Sequence, residues 1–295
     1  RTRQKERLRR LVSEPEFSDC RSALIYGFRR IGKTTLLFYL REYIHANRKK
    51  DILCVYVNAQ MTGTAIQELF VKPVLQQLPL CRELKREWSL PDGELRDPHT
   101  LPAFFQAAAK AAGRGIYLMI DEFDRVAGLP EHAVTMQVLA GMIEDPDCRS
   151  AVHFVICGSK WLLRYESTGD SVDQFSQRFG DNRIEVDALT RPDIDELLHS
   201  VPMKLTLPDE TVERIWRYTG GMAWYAMLFA NKAVERIIEG QRCILCPSDV
   251  DDVIYQVLSD TNCRQFTEGC PERSTEMRIL RLMAENANRR DKEIP

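Results

Sequence analysis

Gly27-Phe28-Arg29-Arg30-Ile31-Gly32-Lys33-Thr34 carries the spacing G-x-x-x-x-G-K-[ST], which suits a phosphate-bearing ligand. Glycines let the backbone curl so that its N–H groups point at one anion. A helix starting at Lys33 aims its N-terminus at the same place. The Lys33 ammonium then reaches the outer phosphates, and the Thr34 hydroxyl holds magnesium. Arg29, Arg30, Ile31 and Thr35 belong to the same binding loop. Arg29 and Arg30 have two readings: contact with phosphate or a lid acid, or bracing of the loop. A second constellation lies further on, where the apolar stretch Tyr117–Asp121 runs into Glu122. A strand-end carboxylate beside such a loop holds magnesium through water. Its neighbour can draw a proton from an attacking water. Asp121 is therefore assigned to the metal and Glu122 to general base, with Lys33 as the catalytic cation. Since Asp124 follows, a solvated acidic loop is the competing reading. Loop and acid pair together favour hydrolysis over passive binding.

These residues need elements to position them. Residues 22–27, SALIYG, fit a buried strand feeding the loop, and the helix from Lys33 places Leu36, Leu40, Tyr43 and Ile44 on one face. Four more strands fit residues 52–57, 117–121, 153–159 and 183–189. Helical patterns lie near 64–78 and 102–112, with a polar, Pro-containing connection at 89–100. Apolar strands alternating with helices predict an α/β fold, a parallel five-stranded sheet with helices on both faces. After Thr190 the pattern becomes helical throughout, at 191–199, 208–218, 221–238 and 247–258, and Ser274–Glu285 adds another helix. The expected division is a core over 1–189, a helical lid over 190–260 and a C-terminal segment over 261–295.

The 295 residues are 44% hydrophobic and 28% charged, which excludes a disordered tail, a collagen-like rod and a disulfide miniprotein. No apolar run approaches the roughly 18 residues of a membrane span, and no apolar signal region opens the chain. A net charge of -2 excludes a strong overall attraction to nucleic acid or membrane. Residues 1–12 are locally basic and amphipathic, with Arg1, Arg3, Lys5, Arg7, Arg9 and Arg10 against Glu6. They fit a solvated helix face better than a nucleic-acid contact. The nine cysteines, scattered through apolar runs, fit buried thiols in a reducing cytosol.

GFRRIGKTTLL resembles the phosphate loop of archaeal-type ATPases in the STAND branch of the P-loop AAA+ proteins, and IDEFD resembles their second motif. Arg3-x-x-Glu6-x-Leu8 resembles the end of a G-R-x-x-E-[LI] segment that borders the adenine site. The glycine of that segment would precede Arg1, which implies a shortened start. Phe154–Ser159 resembles the fourth strand with its sensor position, so Ser159 or Lys160 would sense the terminal phosphate. Thr219-Gly220-Gly221 resembles the T-G-G-x-P turn of the lid, with Ala223 in the proline position. The resemblance spans about residues 3–240 and implies ATP and magnesium as ligands. It also implies a winged helix starting near 274–285, and self-association or attached sensor and effector domains as partners. The activity it implies is a slow or regulated ATPase acting as a signalling or defence switch. The alternatives are a DNA-associated, initiator-like ATPase and a nucleotide-binding scaffold with little turnover.

Weaker constellations remain. Arg178 is the first candidate for an arginine that stabilises charge on a neighbouring subunit's nucleotide and Arg183 the second, with a surface ion pair the rival reading. Cys243, Cys246, Cys263 and Cys270 depart from zinc-ribbon spacing and read as core thiols. Trp216, Tyr218, Trp224, Tyr225 and Phe229 read as the core of the helical lid.

Overall fold

The apolar runs form one sheet in the computed structural model of the chain, which describes residues 1–62, 65–78, 88, 97–127, 133–163, 175–199, 206–240 and 244–259. Strands β1 (Ala23–Tyr26), β2 (Ile52–Asn58), β3 (Gly115–Asp121), β4 (Val152–Gly158) and β5 (Arg183–Glu185) are all parallel. Their order is β2-β3-β4-β1-β5. β3 is buried along nearly all its length and β4 along all of it, as strands covered on both faces must be. The register sets Tyr26 opposite Gly158, Ile120 opposite Ile156 and Asn58 opposite Asp121. The C-terminal ends of four strands are thus level. The loop after β1 and the acid pair after β3 flank the end of β4, in the crevice where open α/β sheets bind ligands.

Helices cover the sheet. α1 (Thr2–Arg10) packs on α2 (Lys33–Asn47), with Leu8 fully buried. Lys5 and Arg9 lie over the Tyr39 ring at 5.3 and 5.5 Å, so two charges of the basic start sit on aromatic faces. α2 buries Leu36, Leu37, Leu40 and Ile44, each worth about 1.5–3 kcal/mol relative to exposure. α3 (Leu101–Ala112) buries Phe104 and Phe105, and the Phe105 ring meets Phe154 of β4 edge-on at 5.7 Å. α4 (Ala133–Glu144) buries Met136, Leu139 and Met142.

Several boundaries differ from expectation. β5 stops at Glu185 instead of 189, because its partner β1 ends at Tyr26 and Val186 N–H makes the last bond to the Tyr26 carbonyl. α1 stops at Arg10, and Leu11 and Val12 are buried beyond it. The helical pattern near 64–78 resolves into a π-helical turn, Gln67–Val71, running into Lys72–Gln76. No helical stripe marks α4 in the sequence, because it is apolar on most of its circumference.

Residues Arg1–Ala188 form one compact unit and Leu189–Pro295 a second. The described helices of the second are α5 (Arg191–His199), α6 (Asp209–Thr219), α7 (Ala223–Glu239) and α8 (Pro247–Ser259). Their core joins Ile194, Val212, Ile215, Phe229, Ala233 and Ile237. The aromatic cluster contributes in part: Phe229 is buried and stacks on the half-exposed Tyr218, while Trp216 donates to the Leu189 carbonyl at 3.1 Å. The Gly221 carbonyl accepts from Leu189 N–H at 2.7 Å, which ties the Thr219-Gly220-Gly221 turn to the start of the unit. The segment Ser274–Glu285 and Cys243, Cys263 and Cys270 lie outside the described residues. Cys246 is a free thiol, and no cluster able to hold a metal through His, Cys, Asp or Glu occurs among the described residues. No described helix is long and apolar enough to cross a membrane.

One core residue carries a pH dependence. His153 of β4 is 1% exposed, and its Nε2–H donates to the Phe17 carbonyl at 2.9 Å. Burial, helped by Arg149 and opposed by that hydrogen bond, lowers its pKa from 6.5 to about 4. The unfolded chain therefore binds a proton that the folded chain refuses between those values. Stability is full above pH 6.5 and falls as pH drops toward 4, by on the order of 3 kcal/mol from this group. Denaturant midpoints taken between pH 7 and 4 should decline more steeply in the wild type than in His153→Gln. Equal slopes would exclude His153 as the source.

Candidate nucleotide-binding site

The loop is built as its sequence requires. A side chain at Gly27 would meet the Val186 carbonyl at 2.7 Å, so only glycine lets β1 leave the sheet here. Gly32, at φ 102°, caps α2 in the left-handed region, which glycine enters without strain. Arg30 holds a left-handed φ of 61° despite its side chain. Arg29 and Thr35 are exposed, and Ile31 is buried under the loop. Lys33 is buried at the head of α2, and its ammonium donates to the Phe28 carbonyl at 2.9 Å and the Gly27 carbonyl at 3.2 Å. The Arg1 guanidinium donates to the carbonyls of Ile31 and Gly32, bracing the loop from the N-cap of α1.

The acid pair meets this loop directly. Thr34 Oγ1 donates to Asp121 Oδ2 at 2.6 Å. Asp121 is 1% exposed, and its Oδ1 accepts from Glu122 N–H at 3.0 Å. That bond accompanies a left-handed turn at Glu122, φ 57°, which costs a non-glycine residue on the order of 1–2 kcal/mol. Glu122, next in the chain to Asp121, is half-buried. Tyr56 of β2 donates to Asp121 Oδ2 at 3.3 Å. Burial, and then the adjacent carboxylate, push the Tyr56 hydroxyl up to about 12, so it keeps its proton and donates this hydrogen bond at neutral pH. The same two causes raise the Cys157 thiol of β4 well above its ordinary value. Thr34 and Asp121 offer hard oxygen donors a hydrogen bond apart, a set that fits magnesium.

Ser159 follows β4 at the level of the loop. Its N–H and hydroxyl donate to Asp124 at 2.7 and 2.9 Å. Asp124 is therefore no solvated bystander in an acidic loop; it is half-buried and fixes the end of β4. The Lys160 ammonium forms an ion pair with Glu185 and lies 4.9 Å from the centroid of the Phe28 ring, on the phosphate loop itself. The hydrogen bond to Glu185 raises its pKa.

The structure thus brings Gly27, Gly32, Lys33, Thr34, Asp121 and Glu122 to one end of the sheet, with Ser159 and Lys160 at the end of β4 beside them. It places the other candidates differently. Arg178 is paired with Glu144 of α4, and Arg183 donates to the Gly180 carbonyl at 3.1 Å. Arg3 is exposed, and Glu6 pairs with Arg10 at 3.0 Å. Sequence reasoning missed Arg1, Tyr56, Asp124 and Glu185. Their partners stand between 25 and 65 residues away along the chain and no local motif announces them.

A family model described as an ATPase domain predominantly from Archaea matches residues 3–229. No curated protein sequence matches the chain. Among solved structures, the Aeropyrum pernix ORC2 protein, in ADPNP–ADP complexes, is 18% identical at a TM-score of 0.61, covering 97% of this chain and 73% of that one. Cdc6p from Pyrobaculum aerophilum is 16% identical at a TM-score of 0.62, covering 92% and 70%. The Aeropyrum pernix ORC1 protein in complex with DNA is 14% identical at a TM-score of 0.55, covering 87% and 64%. These likenesses establish a shared fold: a five-stranded parallel sheet with a phosphate loop, followed by a helical unit. With a family match over most of its length, the chain belongs to the family of ATPase domains found predominantly in Archaea.

Proposed function

We propose that this chain binds ATP together with magnesium and hydrolyses it to ADP and phosphate. The observation that carries the reading is the 2.6 Å bond joining Thr34 of the loop to the buried Asp121, with Glu122 next in the chain. The N–H groups of the loop and the Lys33 ammonium bind the outer phosphates. Thr34 and Asp121 hold magnesium, which when bound neutralises charge on the phosphate oxygens. Glu122 accepts a proton from water as the water oxygen bonds to the terminal phosphorus. The bond from that phosphorus to the bridging oxygen breaks, and ADP departs. Ser159 and Lys160 sense the terminal phosphate from the end of β4. Residues 1–189 act as the core, residues 190–260 as its lid, and nucleotide state governs lid position and self-association.

For the output, the likeness to the ORC2, Cdc6p and ORC1 proteins, the last solved in complex with DNA, supports a DNA-associated role better than a signalling switch. The basic α1, with Arg3 and Arg10 exposed, offers a phosphate-contacting face. A switch of the STAND branch is the second reading, favoured by the loop sequence Gly27-Phe28-Arg29-Arg30. Equilibrium binding of ATP with magnesium tests the first claim. Lys33→Ala is expected to weaken it by about tenfold or more, since a charge-assisted contact is lost. Equal binding by both proteins would remove the loop from the site. Binding of duplex DNA that weakens steeply with salt would support the DNA-associated output, and salt-independent or absent binding would favour the switch.

A further inference from the structure

Asp121 is held on two sides. Thr34 approaches one carboxylate oxygen from the phosphate loop, and Tyr56 approaches the same oxygen from β2. Coordination of magnesium would use one lone pair of the Thr34 oxygen and leave its O–H for Asp121, so that one hydroxyl serves ion and carboxylate together. The Tyr56 hydroxyl, which also shares a hydrogen bond with Asn58 of its own strand, is a second donor to the same oxygen. It sits on the neighbouring strand, two residues before the Asn58–Asp121 register pair, so β-pairing sets its distance to the carboxylate. Its ring packs on Phe38 of α2 at 5.0 Å between centroids, and the Arg41 guanidinium lies 4.8 Å from the Phe38 ring. Tyr56 also lines a cavity of about 570 Å3, together with Arg41, Cys54 and His45. The phenol is therefore braced from α2 and aimed at Asp121.

We propose that Tyr56 is a positioning residue for magnesium: its hydroxyl holds the Asp121 carboxylate from β2 in the orientation the ion needs. This rests on the assignment of Thr34 and Asp121 to magnesium. Tyr56 acts on the metal through Asp121, so its removal is expected to affect the response to magnesium and to spare the phosphate loop.

The test uses the full chain and a fluorescent ATP analogue. Binding is measured first in EDTA, then as magnesium is titrated, for wild type and Tyr56→Phe. The variant deletes one oxygen and keeps the ring stack. The magnesium midpoint is expected to rise about tenfold, the lower end of what loss of one hydrogen bond to a charged group gives, while affinity in EDTA stays within about twofold. An unshifted midpoint overturns the inference. So does a loss of affinity in EDTA as large as the midpoint shift, since the hydroxyl would then support the fold and not the metal. A wild type whose binding ignores magnesium overturns the magnesium assignment and this inference with it.

Discussion

Glu122→Gln is expected to lower ATP turnover by about 10^2–10^4-fold, the usual worth of a positioned general base. ATP affinity should stay within about twofold, because glutamine keeps the size of the side chain and no phosphate-loop group is touched. The turn at Glu122 supports this separation. Its backbone conformation is accompanied by the bond from its N–H to Asp121, which the substitution leaves in place. The side chain is also only half-buried, so the neutral amide meets no desolvation penalty comparable to that of a core position. Phosphate release under multiple turnover and equilibrium binding of ATP measure the two effects. Unchanged turnover would return Glu122 to a structural role and would require another base.

Asp124→Ala is expected to cost both stability and activity. The carboxylate accepts two hydrogen bonds from Ser159, and Gly158 lies so close that an added Cβ would come within 3.0 Å of it. Alanine leaves the Ser159 N–H without that acceptor, a loss of about 1–3 kcal/mol seen by thermal or chemical denaturation. It also frees the end of β4, which stands between the phosphate loop and the acid pair. A shift of an ångström there is enough to cost roughly 10^2-fold in turnover. Asp124→Asn retains one acceptor and should fall between the two. Turnover that survives in Asp124→Ala while stability falls would make the residue a structural clasp alone.

What the sequence discloses follows from the range of each interaction. The loop is legible because its chemistry is local: turn, helix N-terminus, lysine and threonine are consecutive, and the structure keeps them so from Gly27 to Thr34. The strands are legible because β2, β3 and β4 are nearly continuous apolar runs. The length of β5 was not, since it depends on where its partner β1 ends. The helix at 133–144 was hidden by apolar residues on too many sides. Asp124 looked like one more acid in a loop; its partner is 35 residues away, and a buried carboxylate and an exposed one have the same letter. Tyr56 was read only as part of a strand run, and the strand register, not the local pattern, brings it to Asp121 across 65 residues. Arg178 and Lys160 follow the same lesson. Each is a cation whose partner, Glu144 or Glu185, comes from a different element.

The central claim is that the Gly27–Thr34 loop and the Asp121–Glu122 pair form one hydrolytic site. Phosphate release from ATP in the presence of magnesium, by the wild type and by Lys33→Ala side by side, tests it most directly. The account predicts sustained release by the wild type, however slow, and a fall to the uncatalysed background in the variant. Release at equal rates from both proteins, or none from either, would contradict it.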